Sequence, residues 1–231
     1  MLNSLLSDLK NLASKEKAVI LSRFFKTGKG QYGEGDVFLG IVVPNQRKVA
    51  EKYRNLSLKG VQKLLSSKIH EHRLTALFIL IDRYKKGDKK TKRKIFDFYL
   101  KNTKNINNWD LIDLSAPNIV GDYLIKKEKK LLYRLARSKS LWERRIAILA
   151  TYVFIKNYQY KDTLKIAKIL LKDSHDLIHK AVGWMLREVG KRNLKAEESF
   201  LKKHYKGMPR TMLRYAIEKF DEKKKRFYMT K

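Results

Sequence analysis

The chain has 231 residues, with 54 Lys and Arg against 23 Asp and Glu, a formal net charge of +31 with the histidines neutral. At 43% hydrophobic residues it holds enough material for a sizeable core, and charge spread along its whole length points to a polyanion, with nucleic acid ahead of an acidic membrane surface. Cysteine is absent, which excludes disulfides, thiolate metal sites, iron–sulfur clusters and cysteine nucleophiles and suits a reducing cytoplasm.

Apolar residues recur at three- and four-residue steps over 2–12, 15–26, 45–54, 58–66, 71–85, 90–100, 117–125, 127–137, 140–156, 160–171, 175–190, 196–204 and 208–219, and no period-two alternation is sustained. The pattern predicts an all-α protein. Pro44, Pro117 and Pro209 each stand just before such a run, where a missing N–H does no harm. Between the second and third runs lies Gly28-Lys-Gly-Gln-Tyr-Gly-Glu-Gly-Asp36, with the spacing Gly28-x-Gly30-x-x-Gly33. A dinucleotide fingerprint needs a strand before it and a helix after it, and neither is predicted, so the segment reads as a flexible loop whose Lys29 is free to touch a phosphate. The apolar stretch 147–155 is far shorter than the ~20 residues a spanning helix requires, and the N-terminus lacks the pattern of a signal peptide. The expectation is a cytoplasmic protein, nucleoid-associated when bound to DNA, with no membrane contact.

Four segments set a basic residue ahead of a small and apolar helical run: Arg73-Leu-Thr-Ala, Arg145-Ile-Ala-Ile, Lys180-Ala-Val-Gly and Arg214-Tyr-Ala-Ile. A period near 35, with Trp109-Asp-Leu-Ile-Asp113 starting the unit between the first two, predicts an α-solenoid of HEAT-like antiparallel helical pairs with a basic concave face. One domain over 1–231 is expected, with 221–231 a basic tail free to be flexible. Equivalent positions of successive repeats share a face, so Trp109, Asp113, Arg145, Lys180 and Trp184 should converge on one surface.

Asp113 has two readings: a helix cap near Ser115 and Pro117, or a carboxylate that stabilises a cationic sugar centre and aligns water. Trp109 and Trp184 fit the core equally well or offer π-faces to a cation, whereas Trp142 reads as core or a helix-start anchor. Arg145 has the planar fork for a bidentate phosphate contact, with Lys180, Arg187, Arg210 and Arg214 as lesser candidates of the same kind. Of His70, His72, His175, His179 and His204, only His175 and His179 have metal-ligand spacing, and without a third ligand they read as surface or phosphate-contacting residues.

At these residues the sequence resembles the AlkD-type DNA alkylation repair family, HEAT-like-repeat glycosylases that remove N3- and N7-alkylated purines. The resemblance rests on Asn108-Trp-Asp-Leu-Ile-Asp113, Leu141-Trp-Glu-Arg-Arg-Ile-Ala-Ile-Leu149, Lys180-Ala-Val-Gly-Trp-Met-Leu-Arg-Glu188, Phe38-Leu-Gly-Ile-Val-Val-Pro44 and Met208-Pro-Arg-Thr-Met-Leu-Arg-Tyr-Ala-Ile-Glu-Lys-Phe220, which together span about 24–220. It implies that Asp113 is the catalytic carboxylate, that Trp109 and Trp184 contact the alkylated nucleotide, and that Arg145 holds a phosphate. A polar contact found before the early proline in some members is replaced here by Val42 or Val43.

The implied function is base-excision repair of alkylated duplex DNA by hydrolysis of the N-glycosidic bond, with no metal or organic cofactor, no obligate protein partner and a monomeric state. The family is thought to work largely through the DNA backbone, consistent with an open concave groove without a pocket-forming segment. The alternative is a non-catalytic HEAT-repeat protein that holds nucleic acid, which predicts salt-dependent binding without product.

Overall fold

The computed structural model describes residues 1–230, and among them no strand forms. The chain packs as two compact units, Met1–Leu111 and the residues from Ile112 onward.

The first unit contains α1 (Leu2–Asn11), α2 (Lys15–Phe24), α3 (Val43–Lys52), α4 (Leu58–Leu65), α5 (His70–Lys86), α6 (Lys89–Lys101) and the first turn of α7 (Trp109–Ala116). Side chains start three of them: Ser14 Oγ accepts from Lys17 N, Ser57 Oγ from Gly60 N and Asp88 Oδ1 from Thr91 N, each satisfying an amide that the helix itself leaves open. α3, α4 and α6 all pack on α5, which is buried on nearly every face and includes Leu77, Leu80 and Tyr84 at 1% exposure or less. Burying a side chain of that size contributes about 1.5–3 kcal/mol each. α2 differs, since it has no buried residue and leaves Val19, Ile20 and Phe24 more than half exposed.

The second unit holds the rest of α7, then α8 (Asp122–Leu124), α9 (Lys130–Leu135), α10 (Leu141–Ala150), α11 (Tyr152–Lys156), α12 (Lys161–Ile169), α13 (Asp176–Gly190), α14 (Leu194–His204), α15 (Arg210–Ala216) and α16 (Glu222–Met229). α10, α13 and α15 start 35 and then 34 residues apart and pack on one another in succession. α9 packs on α10, and α12 on α13. These are the helical pairs that the sequence period requires. Gly183 lets α13 and α15 approach closely, because a Cβ there would lie 2.4 Å from the carbonyl oxygen of Met212.

Two elements depart from the periodicity. Pro117 does not start a separate helix: the chain continues from α7 through a π-helical turn, Pro117–Gly121, into α8. The wider turn accommodates a residue without an N–H while the helical path goes on. In the tail, whose order the sequence left open, Glu222–Met229 form α16, capped by Asp221 Oδ1 on Lys224 N at 2.8 Å. Its Tyr228 is 3% exposed and packs edge-on against Tyr205 and Phe220, so an aromatic anchor holds what composition alone made look unstructured. Lys231 lies outside the described residues.

Candidate active site

In the first unit, Trp109 opens α7 with its backbone N–H bonded to Asn108 Oδ1 at 2.8 Å. Its half-buried ring stacks on Phe25 (centroids 5.2 Å, 24°), meets Phe24 edge-on, and donates from Nε1 to the Tyr32 hydroxyl at 3.2 Å. Phe25 stacks in turn on Phe38, and Phe38 on the imidazole of His70. Stacked and edge-on ring pairs of this kind contribute about 0.5–1.5 kcal/mol beyond their buried area.

The glycine-rich segment supplies Tyr32. It is a series of turns, as the missing strand and helix required, with Gly30 N bonded to Glu34 Oε2 and Gly28 N to Gln31 Oε1. Beyond it, Val37 exchanges backbone hydrogen bonds with Lys68 and His70 at the start of α5. Glu71 then accepts from the amides of Leu39, Gly40 and Ile41 at 2.8–3.2 Å. Gly40, at φ +81°, is placed so that a Cβ would sit 2.1 Å from Ser14 O, and only glycine fits.

This segment and α2 enclose a cavity of about 330 Å³ lined by Leu21, Phe25, Phe38, Ile41, Val42 and Leu74, with His70 and Asp110 at its edge. An apolar run next to a tight glycine turn folds over α5 instead of lying flat.

In the second unit, Asp113 lies one helical turn beyond Trp109 on α7. Arg145 of α10 grips it with both edges of one guanidinium face, Nε to Oδ1 at 2.8 Å and Nη2 to Oδ2 at 2.7 Å. The third arm, Nη1, donates to the carbonyl of Leu177 in the first turn of α13 at 2.5 Å. Arg145 is 5% exposed and Asp113 retains 18% of its side-chain surface. The helix-cap reading of Asp113 does not describe this geometry, since the residue stands inside α7 with its oxygens turned to another helix. The fork of Arg145, expected to hold a phosphate, pairs here with a carboxylate. A bidentate pair of this kind fixes both carboxylate oxygens in one plane.

Trp184 stands two turns past Leu177 on α13, half-buried, its ring 6.0 Å from Tyr152. Trp142 is half-buried in the first turn of α10, as a helix-start anchor would be.

The remaining basic candidates divide by their partners. Lys180 pairs with Asp176 and Arg187 with Glu218, while Arg210 donates to the carbonyl of Met229 and so ties α15 to α16. Arg214 on α15 and Lys29 in the glycine loop are exposed.

His175 and His179 do not form a metal pair. His175 Nδ1 accepts from Leu177 N as the cap of α13, and His179 Nε2 is bonded to the carbonyl of Asp173. No group of three His, Asp or Glu suited to a metal occurs among the described residues. His70, to which the sequence assigned no role, is 1% exposed. The residues missed from sequence are Phe25, Tyr32, Phe38 and His70; the signal was the density of aromatics around one glycine segment.

The profile of the DNA alkylation repair enzyme family matches residues 5–220. Among solved structures, the chain is similar to one described as a predicted DNA alkylation repair enzyme from Enterococcus faecalis. That match has 15% identity over 91% of this chain and 97% of that one, with a TM-score of 0.69. It is also similar to AlkD2 from Streptococcus mutans, at 19% identity over 90% and 99% of the two chains and a TM-score of 0.54. No curated protein matches. At these identities the structural likeness speaks for the all-helical fold, and the family profile covers nearly the whole chain. By that match the chain belongs to the family of DNA alkylation repair enzymes.

Proposed function

We propose that this repair protein is a monofunctional glycosylase that hydrolyses the N-glycosidic bond of cationic N3- or N7-alkylated purines in duplex DNA. The observation that carries the reading is the Asp113–Arg145 pair, a carboxylate held by two hydrogen bonds at 2.7 and 2.8 Å yet partly open to solvent. Alkylation at a ring nitrogen leaves the purine positively charged. When the C1′–N bond breaks, its electron pair goes to the base, which leaves neutral without a general acid. The charge passes to the sugar, where Asp113 stabilises the cation and orients the water that adds to C1′. Trp109 and Trp184 offer π-faces to the positive charge that distinguishes damaged from normal nucleotides, an attraction of about 0.5–2 kcal/mol depending on desolvation.

Arg145 acts in this scheme through Asp113. Phosphate contacts fall instead to exposed cations such as Arg214 and Lys29, supported by the net charge of +31. The protein works on duplex DNA as a monomer, in the cytoplasm, and needs no cofactor.

Release of base from duplex DNA containing N7-methylguanine, compared between the native protein and Asp113→Asn, tests the reading. Release by the native protein alone supports it. Salt-sensitive duplex binding without release by either form replaces it with a nucleic-acid-holding role, and equal release by both forms removes Asp113 from the chemistry.

A further inference from the structure

Beside Trp109 lies a buried charge cluster that the proposed chemistry leaves unused. His70, the first residue of α5, faces a carboxylate at each ring nitrogen: Nε2 is 2.7 Å from Asp110 Oδ2 and Nδ1 is 3.3 Å from Asp36 Oδ2. A neutral imidazole has one N–H and one lone pair, so it serves one carboxylate and turns a lone pair on the other. Only the imidazolium donates to both.

The neighbours are accounted for. Arg73, one turn along α5, donates to the same Asp36 oxygen at 2.7 Å and stands 3.5 Å from His70 Nδ1. Asn108 Nδ2 reaches Asp36 Oδ2 at 3.4 Å. Glu71 points to the amides of residues 39–41 and His72 to Ser67, while uncharged Phe25 and Phe38 cover the imidazole faces. With His70 protonated, two anions meet two cations.

The two carboxylates belong to the two supports of one indole. Asp110 follows Trp109 in the first turn of α7. Asp36 ends the glycine-rich loop whose Tyr32 accepts the Trp109 Nε1–H.

We infer that protonated His70 is a positioning residue that locks Trp109 by bridging Asp110 and Asp36, so that the charge of a buried residue governs the proposed reaction. The second half of this rests on the glycosylase reading, whereas the first does not. Burial alone favours the neutral ring, and Arg73 adds to that, but the hydrogen bonds to Asp110 and Asp36 outweigh both and hold the imidazole above its ordinary range. As pH rises through that titration, one of the two carboxylates loses the imidazole N–H, and the bridge through His70 between the loop and the start of α7 opens.

The test is an NMR titration of the full-length protein that follows the imidazole of His70 and the indole of Trp109, the latter identified by its loss in Trp109→Phe. The indole resonances should move with the same midpoint as the imidazole. In Asp110→Asn that midpoint should fall by about one pH unit or more. In His70→Gln, with helical content checked by circular dichroism, the indole should show no such transition.

Base release from N7-methylguanine DNA should decline across the same midpoint in the native protein and be lower and flat with pH in His70→Gln. An indole insensitive to the imidazole titration, or one that titrates unchanged in His70→Gln, overturns the inference. Coupled titration without base release from any form upholds the positioning role and defeats the glycosylase reading, so the two fail separately.

Discussion

Arg145 holds Asp113 through two parallel hydrogen bonds and anchors itself on the carbonyl of Leu177, so one side chain joins α7, α10 and α13 at the proposed catalytic carboxylate. Lysine has the charge but not the fork. Arg145→Lys should therefore keep duplex affinity within a few-fold while lowering single-turnover base release by about 10-fold or more, the scale of losing oriented charge at a reacting centre. Arg145→Ala removes both of these hydrogen bonds to a largely buried carboxylate and should cost roughly 3 kcal/mol in urea unfolding. A large loss of affinity with unchanged single-turnover release would instead return Arg145 to the phosphate backbone.

Arg214 is exposed on α15 and suits a backbone contact. Replacing it with Gln should weaken binding evenly across DNA sequences. The slope of log affinity against log salt should become shallower by roughly 0.9, the value of one phosphate contact on B-DNA. Titrations at several salt concentrations read this directly, and an unchanged slope would place Arg214 off the DNA.

Glu197 on α14 is 1% exposed, and its Oε1 has no hydrogen-bond partner. Burial first, and then the nearby charge of Glu198, raise its carboxyl to about 8, while Arg187 opposes them. A carboxyl raised on folding holds its proton in the native state while the unfolded chain gives it up. Stability is thus fullest below the unfolded value near 4.5 and falls as pH rises toward 8, by roughly 1.4 kcal/mol per pH unit at its steepest. Glu197→Gln, which cannot ionise, should flatten this dependence and raise stability at pH 8 relative to the native chain, as measured by urea unfolding at pH 5.5 and pH 8. Equal slopes in the two proteins would show that Glu197 is ionised when buried.

Most of the fold was legible because helices with a wet and a dry face announce themselves by period. α10, α13 and α15 fall at the spacing that the basic-small-apolar segments predict, and the same register set Arg145 near Asp113. What that register does not carry is which atoms meet. The bidentate contact between Arg145 and the Asp113 carboxylate is of this kind. α16 escaped because a lysine-rich stretch hides the single buried Tyr228 that holds it.

The His70 cluster escaped for another reason. Its partners lie 34 and 40 residues away, at Asp36 in an irregular loop and Asp110 at a helix start. No periodicity connects loop positions to helix positions. A histidine beside two charged residues, Glu71 and Arg73 a few positions on, looks like part of a solvated surface until the packing is known.

The carboxylate of Glu71 closes three consecutive amides about thirty residues earlier in the chain. Those amides have no local substitute, since no strand or helix includes them, and the bend at Gly40 is a conformation that this stretch does not hold by itself. The stretch from Leu39 to Ile41 should accordingly acquire its shape only once α5 presents Glu71, so this part of the cavity lining is expected among the late events of folding. On the same logic it is among the first parts to open under hydrogen exchange.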